Sequence, residues 1–109
     1  MPRLICLFNL KPGIDPATYE AWAKRVDLPT VKRLGSIERF EVFKSLSVLG
    51  SSASPPYQYI EIIDVKDMAA FGADVSTATM QRVAGEFAAF ADATFILTEA
   101  LGPGAPLDD

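Results

Sequence analysis

Between residues 4 and 10 the chain is apolar at almost every position and partly β-branched or aromatic. That is how a short strand covered on both faces reads. Lys11-Pro12-Gly13 ends it as a turn. Asp15-Pro16 then reads as a helix cap with proline at the first helical position, where its missing N–H costs nothing. Tyr19, Trp22, Ala23 and Val26 follow at three- and four-residue spacing, giving one apolar helical stripe. Pro29 disfavours helical backbone at Leu28, so the helix is expected to stop near Val26 or Asp27. A short helical turn over 30–34, closed by Gly35, follows it.

From Ile37 the period changes to two. Phe40, Val42, Leu46 and Val48 fall on one face of a strand, and Arg39, Glu41, Phe43 and Ser45 on the other. The Gly/Ser/Pro-rich segment 50–56 is a loop. A second alternating strand over 57–65 places Tyr57, Tyr59, Glu61 and Ile63 opposite Gln58, Ile60, Ile62 and Asp64, which predicts an antiparallel hairpin. Asp67 caps a short helical turn through Met68 and Phe71, interrupted at Gly72. Ser76 is expected to cap a longer helix whose face is Met80, Val83, Ala84, Phe87, Phe90 and Ala91. Residues 95–101 read as a last strand.

Strand, helix, strand, strand, helix, strand is the ferredoxin-like βαββαβ order, an α+β fold with both helices on one face of a four-stranded antiparallel sheet. It assigns 1–101 to one domain and 102–109 to a flexible C-terminal tail. The helices cover one sheet face, yet apolar residues occupy both parities of the strands. An apolar face of several hundred Å² is unusual in water. Covering a handful of large side chains at about 1.5–3 kcal/mol each favours association. The expected partner is a second copy, giving a homodimer through the open sheet face.

Composition narrows the chemistry. A formal charge of -4 in 109 residues argues against nucleic acid as a partner. With no histidine there is no imidazole base, no Ser-His or Cys-His dyad and no His-ligated haem or zinc. The single cysteine cannot form an intrachain disulfide and reads as a small buried hydrophobe at Cys6. No metal and no cofactor are expected. No apolar run reaches the roughly 18 residues of a membrane-spanning helix, and a lone thiol suits a reducing compartment, so membrane association is not expected and a cytoplasmic location is.

The candidate ligand contacts are polar or aromatic groups in apolar settings. Asn9, the only asparagine, stands at the end of the first strand and is either a cap on nearby backbone or a ligand contact. Tyr57, Tyr59 and Glu61 share one strand face, and Arg39 and Glu41 are grouped with them from the neighbouring strand. Such a cluster suits a small planar ligand, or else an ion pair with tyrosines packed across an interface. Glu61 becomes a base only if burial raises its pKa. Tyr19 and Trp22 lie on the inward helix stripe, with Trp22 as a wall of any helix–sheet cleft.

The opening run through Asn9-Leu10-Lys11-Pro12-Gly13, then Tyr19-Glu20-Ala21-Trp22, Asp27-Leu28-Pro29-Thr30-Val31, Phe40-Glu41-Val42-Phe43, Pro56-Tyr57-Gln58-Tyr59-Ile60-Glu61 and Phe71-Gly72-Ala73-Asp74-Val75 together resemble the RedY-like (HapK-like) family of the dimeric α+β barrel superfamily. The resemblance extends to about Leu101. It implies a ferredoxin-like protomer paired through its sheet and an association with prodiginine-type secondary metabolism. It also implies a small-molecule cleft between helices and sheet. Asn9 resembles in placement the strand-end asparagine of haem-degrading and quinone-forming relatives, but the histidine that accompanies it in the haem degraders is absent. The expected function is therefore a homodimer that binds a hydrophobic aromatic or heterocyclic metabolite and assists a cofactor-free condensation or cyclisation. The alternatives are a cofactor-free monooxygenase of the quinone-forming type and a non-catalytic binding protein.

Overall fold

In the computed structural model, which describes residues 2–102 and 104, four strands form one antiparallel sheet in the order β2-β3-β1-β4. The elements are β1 (Arg3–Phe8), α1 (Pro16–Trp22), a π turn (Ala23–Asp27), α2 (Leu28–Lys32), β2 (Ile37–Lys44), β3 (Tyr59–Val65), α3 (Met68–Val75), α4 (Ala78–Phe90) and β4 (Thr94–Thr98). This is the ferredoxin-like α+β arrangement, with β1 central between β3 and β4. Within the expected tail, residues 103 and 105–109 lie outside the described residues.

Local chemistry explains most boundaries. The Asp15 side chain accepts from the Ala17 N–H and Pro16 opens α1. Lys11-Pro12-Gly13-Ile14 closes a turn through the Ile14 N–H to Lys11 carbonyl bond, with Gly13 at a φ of 85° that a side chain would resist. Three expectations are corrected. The first helix does not end at Asp27. Pro29 has no N–H to give the ladder, and the chain accommodates it with a π turn in which the Leu28 N–H reaches back to the Ala23 carbonyl, before helix resumes. Gly72 does not interrupt α3, which runs on to Val75. The cap of α4 is Thr77, whose hydroxyl accepts from the Met80 N–H, while Ser76 closes α3.

The hairpin strands are shorter than their alternation suggests. β2 ends at Lys44, leaving Leu46 and Val48 in the connecting segment, and β3 begins at Tyr59. β4 likewise ends at Thr98. A bulge between Ile37 and Arg39 resets the phase of β2, so that Ile37, Phe40 and Val42 face the helices.

Register separates the two faces. Cys6, Phe8, Tyr59, Ile63 and Val65 point at the helices and are buried. The Phe8 ring stacks on Tyr59 at 5.5 Å and meets the Phe87 ring edge-on at 5.1 Å. The opposite face carries three cross-strand rows. Two are largely apolar, Phe43-Ile60-Leu7-Thr94 and Glu41-Ile62-Ile5-Ile96. The third, Arg39-Asp64-Arg3-Thr98, is polar, and there Arg3 grips Asp64 with Nε at 2.7 Å and Nη2 at 3.1 Å.

Candidate functional site: an apolar cleft with a buried carboxyl group

The sheet and helices do not close completely. Between them lies a cleft of about 560 Å³. Phe40, Phe71, Phe87 and Phe95 supply rings to its wall, and Leu4, Val31 and Ile63 its aliphatic floor. Ala84, Ala88, Ala91 and Ala93 leave the space that larger side chains would have filled. Ala84, Ala88 and Gln81 are also exposed, so the cleft opens to solvent along α4. Its volume and lining are those of a small-molecule site.

Among the described residues, Glu61 is the only ionisable side chain in that wall. It occupies an inward position of β3, between Tyr59 and Ile63, and is 2% exposed. Oε2 is buried without a hydrogen-bond partner. Burial, and secondarily the charge of Asp27, push the Glu61 carboxyl up to about 8. Asp27, at the end of the π turn, is 6% exposed, and burial lifts it to about 7. Tyr19 lies in the same electrostatic neighbourhood. Its hydroxyl is buried without a partner, and burial together with Glu61 and Asp27 raises its pKa. Burial first, and Glu61 second, also push the Cys6 thiol up to about 12, so it is no thiolate nucleophile. Of the two carboxyl groups, Glu61 lines the apolar cavity, where a carboxyl group poised near neutrality can give or take a proton or hold a polar ligand group.

The other sequence-predicted residues are dispersed. Tyr59 and Tyr19 line a smaller neighbouring recess of about 120 Å³, where the Tyr59 hydroxyl donates to Glu20 Oε2 at 2.7 Å and Lys44 Nζ approaches the same oxygen at 3.1 Å. Trp22 is not in the cleft wall; its ring stacks on Phe87 and its Nε1–H donates to Glu86 Oε1 at 2.8 Å. Asn9 spends its amide on the chain itself. Nδ2 donates to the Pro56 carbonyl at 3.0 Å and Oδ1 accepts from the Gln58 N–H at 2.9 Å. Tyr57 is exposed ahead of β3.

The grouping of Arg39 and Glu41 with Glu61 is corrected by the register. Glu61 pairs with Val42, which places Arg39 and Glu41 on the open face, where they join in an ion pair at 2.9 Å. Asp27 was not singled out from the sequence, although it lies four residues after Ala23 on the apolar stripe. Reading Pro29 as a helix stop hid it. Among the described residues no group of His, Cys, Asp and Glu is arranged to hold a metal ion, and no helix is long and apolar enough to cross a membrane.

The fold has counterparts in solved structures. HapK from Hahella chejuensis is 30% identical and superposes with a TM-score of 0.76 over 97% of this chain and 98% of that one. SnoaB, a cofactor-independent oxygenase from Streptomyces nogalater, is 16% identical with a TM-score of 0.74, covering 94% of each chain. A dimeric ferredoxin-like protein of unknown function from Thermobifida fusca is 14% identical with a TM-score of 0.72, covering 91% of this chain and 90% of that one. At their identities the last two share the fold. Among curated protein sequences none matches this chain. The family described as REDY-like protein HapK matches residues 2–101. Sequence, fold and coverage agree, and the chain belongs to the REDY-like HapK family.

Proposed function

We propose that the protein is a homodimer, paired through its open sheet face, that binds a hydrophobic aromatic or heterocyclic metabolite and assists a cofactor-free condensation or cyclisation in prodiginine-like secondary metabolism. The observation that carries this reading is the apolar helix–sheet cleft with Glu61 as its one ionisable lining group among the described residues. Enclosure orients flat substrates and excludes water, while a carboxyl group lifted to about 8 by burial gives or takes a proton near neutral pH. Membership of the REDY-like HapK family supports the metabolic setting. The two apolar rows of the open face support pairing, since a second copy is the simplest cover for them.

The test is to supply heteroaromatic aldehyde and pyrrole partners to wild type and to Ala88→Trp, in which the cleft is plugged. Saturable binding and faster coupling by wild type alone support the reading. Equal behaviour of both proteins removes the cleft from the function. Oxygen consumption coupled to turnover replaces condensation with a monooxygenase reaction.

A further inference from the structure

The inner wall of the cleft poses a specific chemical problem. Glu61 is 2% exposed, and among the described residues its Oε2 has no partner and no lysine or arginine lines the cavity. A buried acceptor left in that state costs stability, and a carboxyl group retains an acceptor oxygen in either protonation state. The rest of the wall offers a ligand little beyond apolar contact, apart from Gln81 on the exposed side of α4. Four phenylalanine rings and the space spared by Ala84 and Ala88 suit flat molecules, and the volume admits roughly two or three linked rings.

From this geometry we infer that the cleft selects a planar apolar molecule bearing a hydrogen-bond donor, an N–H or a phenolic O–H, at its inner end, received by Glu61. The inference rests on the cleft being the binding site and adds the chemistry of its occupant. Asp27 sharpens the choice. Its charge acts on Glu61, so a ligand ending in a carboxylate would add a third acidic group to one poorly solvated region. An occupant with no polar group at its inner end would leave the Glu61 oxygen as unsatisfied as it is in the free protein.

Four probes separate the possibilities: 2-phenylindole with an N–H, 4-phenylphenol with an O–H, 2-phenylbenzofuran with neither, and biphenyl-4-carboxylate with an anionic end. Each is titrated calorimetrically into the full chain, Glu61→Leu, Glu61→Gln and Ala88→Trp, with folding of each variant checked by circular dichroism. Wild type is expected to bind the indole or the phenol at least tenfold more tightly than the benzofuran, with the carboxylate weakest. The stronger of the first two identifies the donor. Glu61→Leu loses the preference while retaining benzofuran binding, and Glu61→Gln, which keeps an acceptor, retains much of it. Equal affinity for all probes in wild type and Glu61→Leu overturns the inference and leaves the cleft reading standing. Probes that bind Ala88→Trp as well as wild type, or bind neither protein, overturn both.

Discussion

Asp27 and Glu61 are two acidic side chains buried in one helix–sheet core, and the charge of Asp27 adds to burial in raising the Glu61 pKa. They come from opposite layers, Asp27 from the π turn after α1 and Glu61 from the middle of β3. Each is held above its ordinary range, to about 7 and about 8. A fold that only needed a core would place apolar groups at both positions, because burying ionisable groups opposes stability.

The first consequence is an inverted pH profile. The unfolded chain ionises Asp27 near 3.8 and Glu61 near 4.5, whereas the folded chain keeps their protons up to about 7 and about 8. Between those limits the native state binds more protons, so stability falls as pH rises. Glu20 and Asp64 work in the other direction but at lower pH. Hydrogen bonds from Tyr59 and Lys44 hold Glu20 down, and those from Arg3 hold Asp64 down, so their contributions are lost only as pH drops through those depressed values. Tyr19 and Cys6, which face Glu61, keep their protons throughout this window. The melting temperature should therefore be higher at pH 5 than at pH 8 by roughly 5 °C or more. A flat profile in differential scanning calorimetry contradicts the burial of this pair.

Replacing the carboxyl group should stabilise the protein. Glu61→Leu removes an unsatisfied buried oxygen and substitutes a side chain that suits the surrounding apolar wall. We expect a gain of about 1–3 kcal/mol at pH 8, shrinking toward pH 5 where Glu61 is protonated. Denaturant titrations at the two pH values measure it. A loss of stability would show that Glu61 has a structural partner.

Dimerisation should depend on the centre of the open face. Ile62 lies in a row with Ile5 and Ile96, between the row of Phe43, Ile60 and Leu7 and the polar row of Arg39, Asp64 and Arg3. Ile62→Asp puts a charge where two apolar faces are proposed to meet, and should weaken association at least 100-fold, about 2.7 kcal/mol. Sedimentation equilibrium of wild type and variant reads this directly. A wild-type protein that stays monomeric at high concentration refutes the paired arrangement.

Asn9 makes a separable prediction. Its amide joins the end of β1 to the segment before β3, through the Pro56 carbonyl and the Gln58 N–H, and the Gln58 Oε1 returns a bond from the Leu10 N–H. Asn9→Ala should cost about 1 kcal/mol and speed amide exchange around Gln58, because the Pro56 carbonyl loses its partner and the Gln58 N–H keeps only its longer bond to the Phe8 carbonyl at 3.2 Å. Ligand affinity should change less than twofold, since Asn9 does not line the cleft. A larger drop in affinity with unchanged exchange would instead make Asn9 a ligand contact.

The alternation of Tyr59, Glu61, Ile63 and Val65, the stripe of Tyr19 and Trp22, and the Asp15-Pro16 cap are local patterns, and local patterns were enough to establish the βαββαβ order. They also showed that apolar residues exceed what one helical layer can cover. Glu61 stood out as the carboxylate sharing a strand face with Tyr57 and Tyr59. Strand parity alone could not say which face meets the helices, since a one-residue slip exchanges them. Only the bulge at Ile37/Arg39 and the pairing of Val42 with Glu61 put Arg39 and Glu41 on the far side from Glu61. Asp27 depended on the tertiary structure in a second way. Pro29 forbids an ordinary helical ladder, but packing against the sheet favours a π turn over a stop, and that choice carries an acidic side chain into the core. The chain's own periodicity thus determines its elements and their order, while the site arises where separate elements meet, at distances no local pattern encodes.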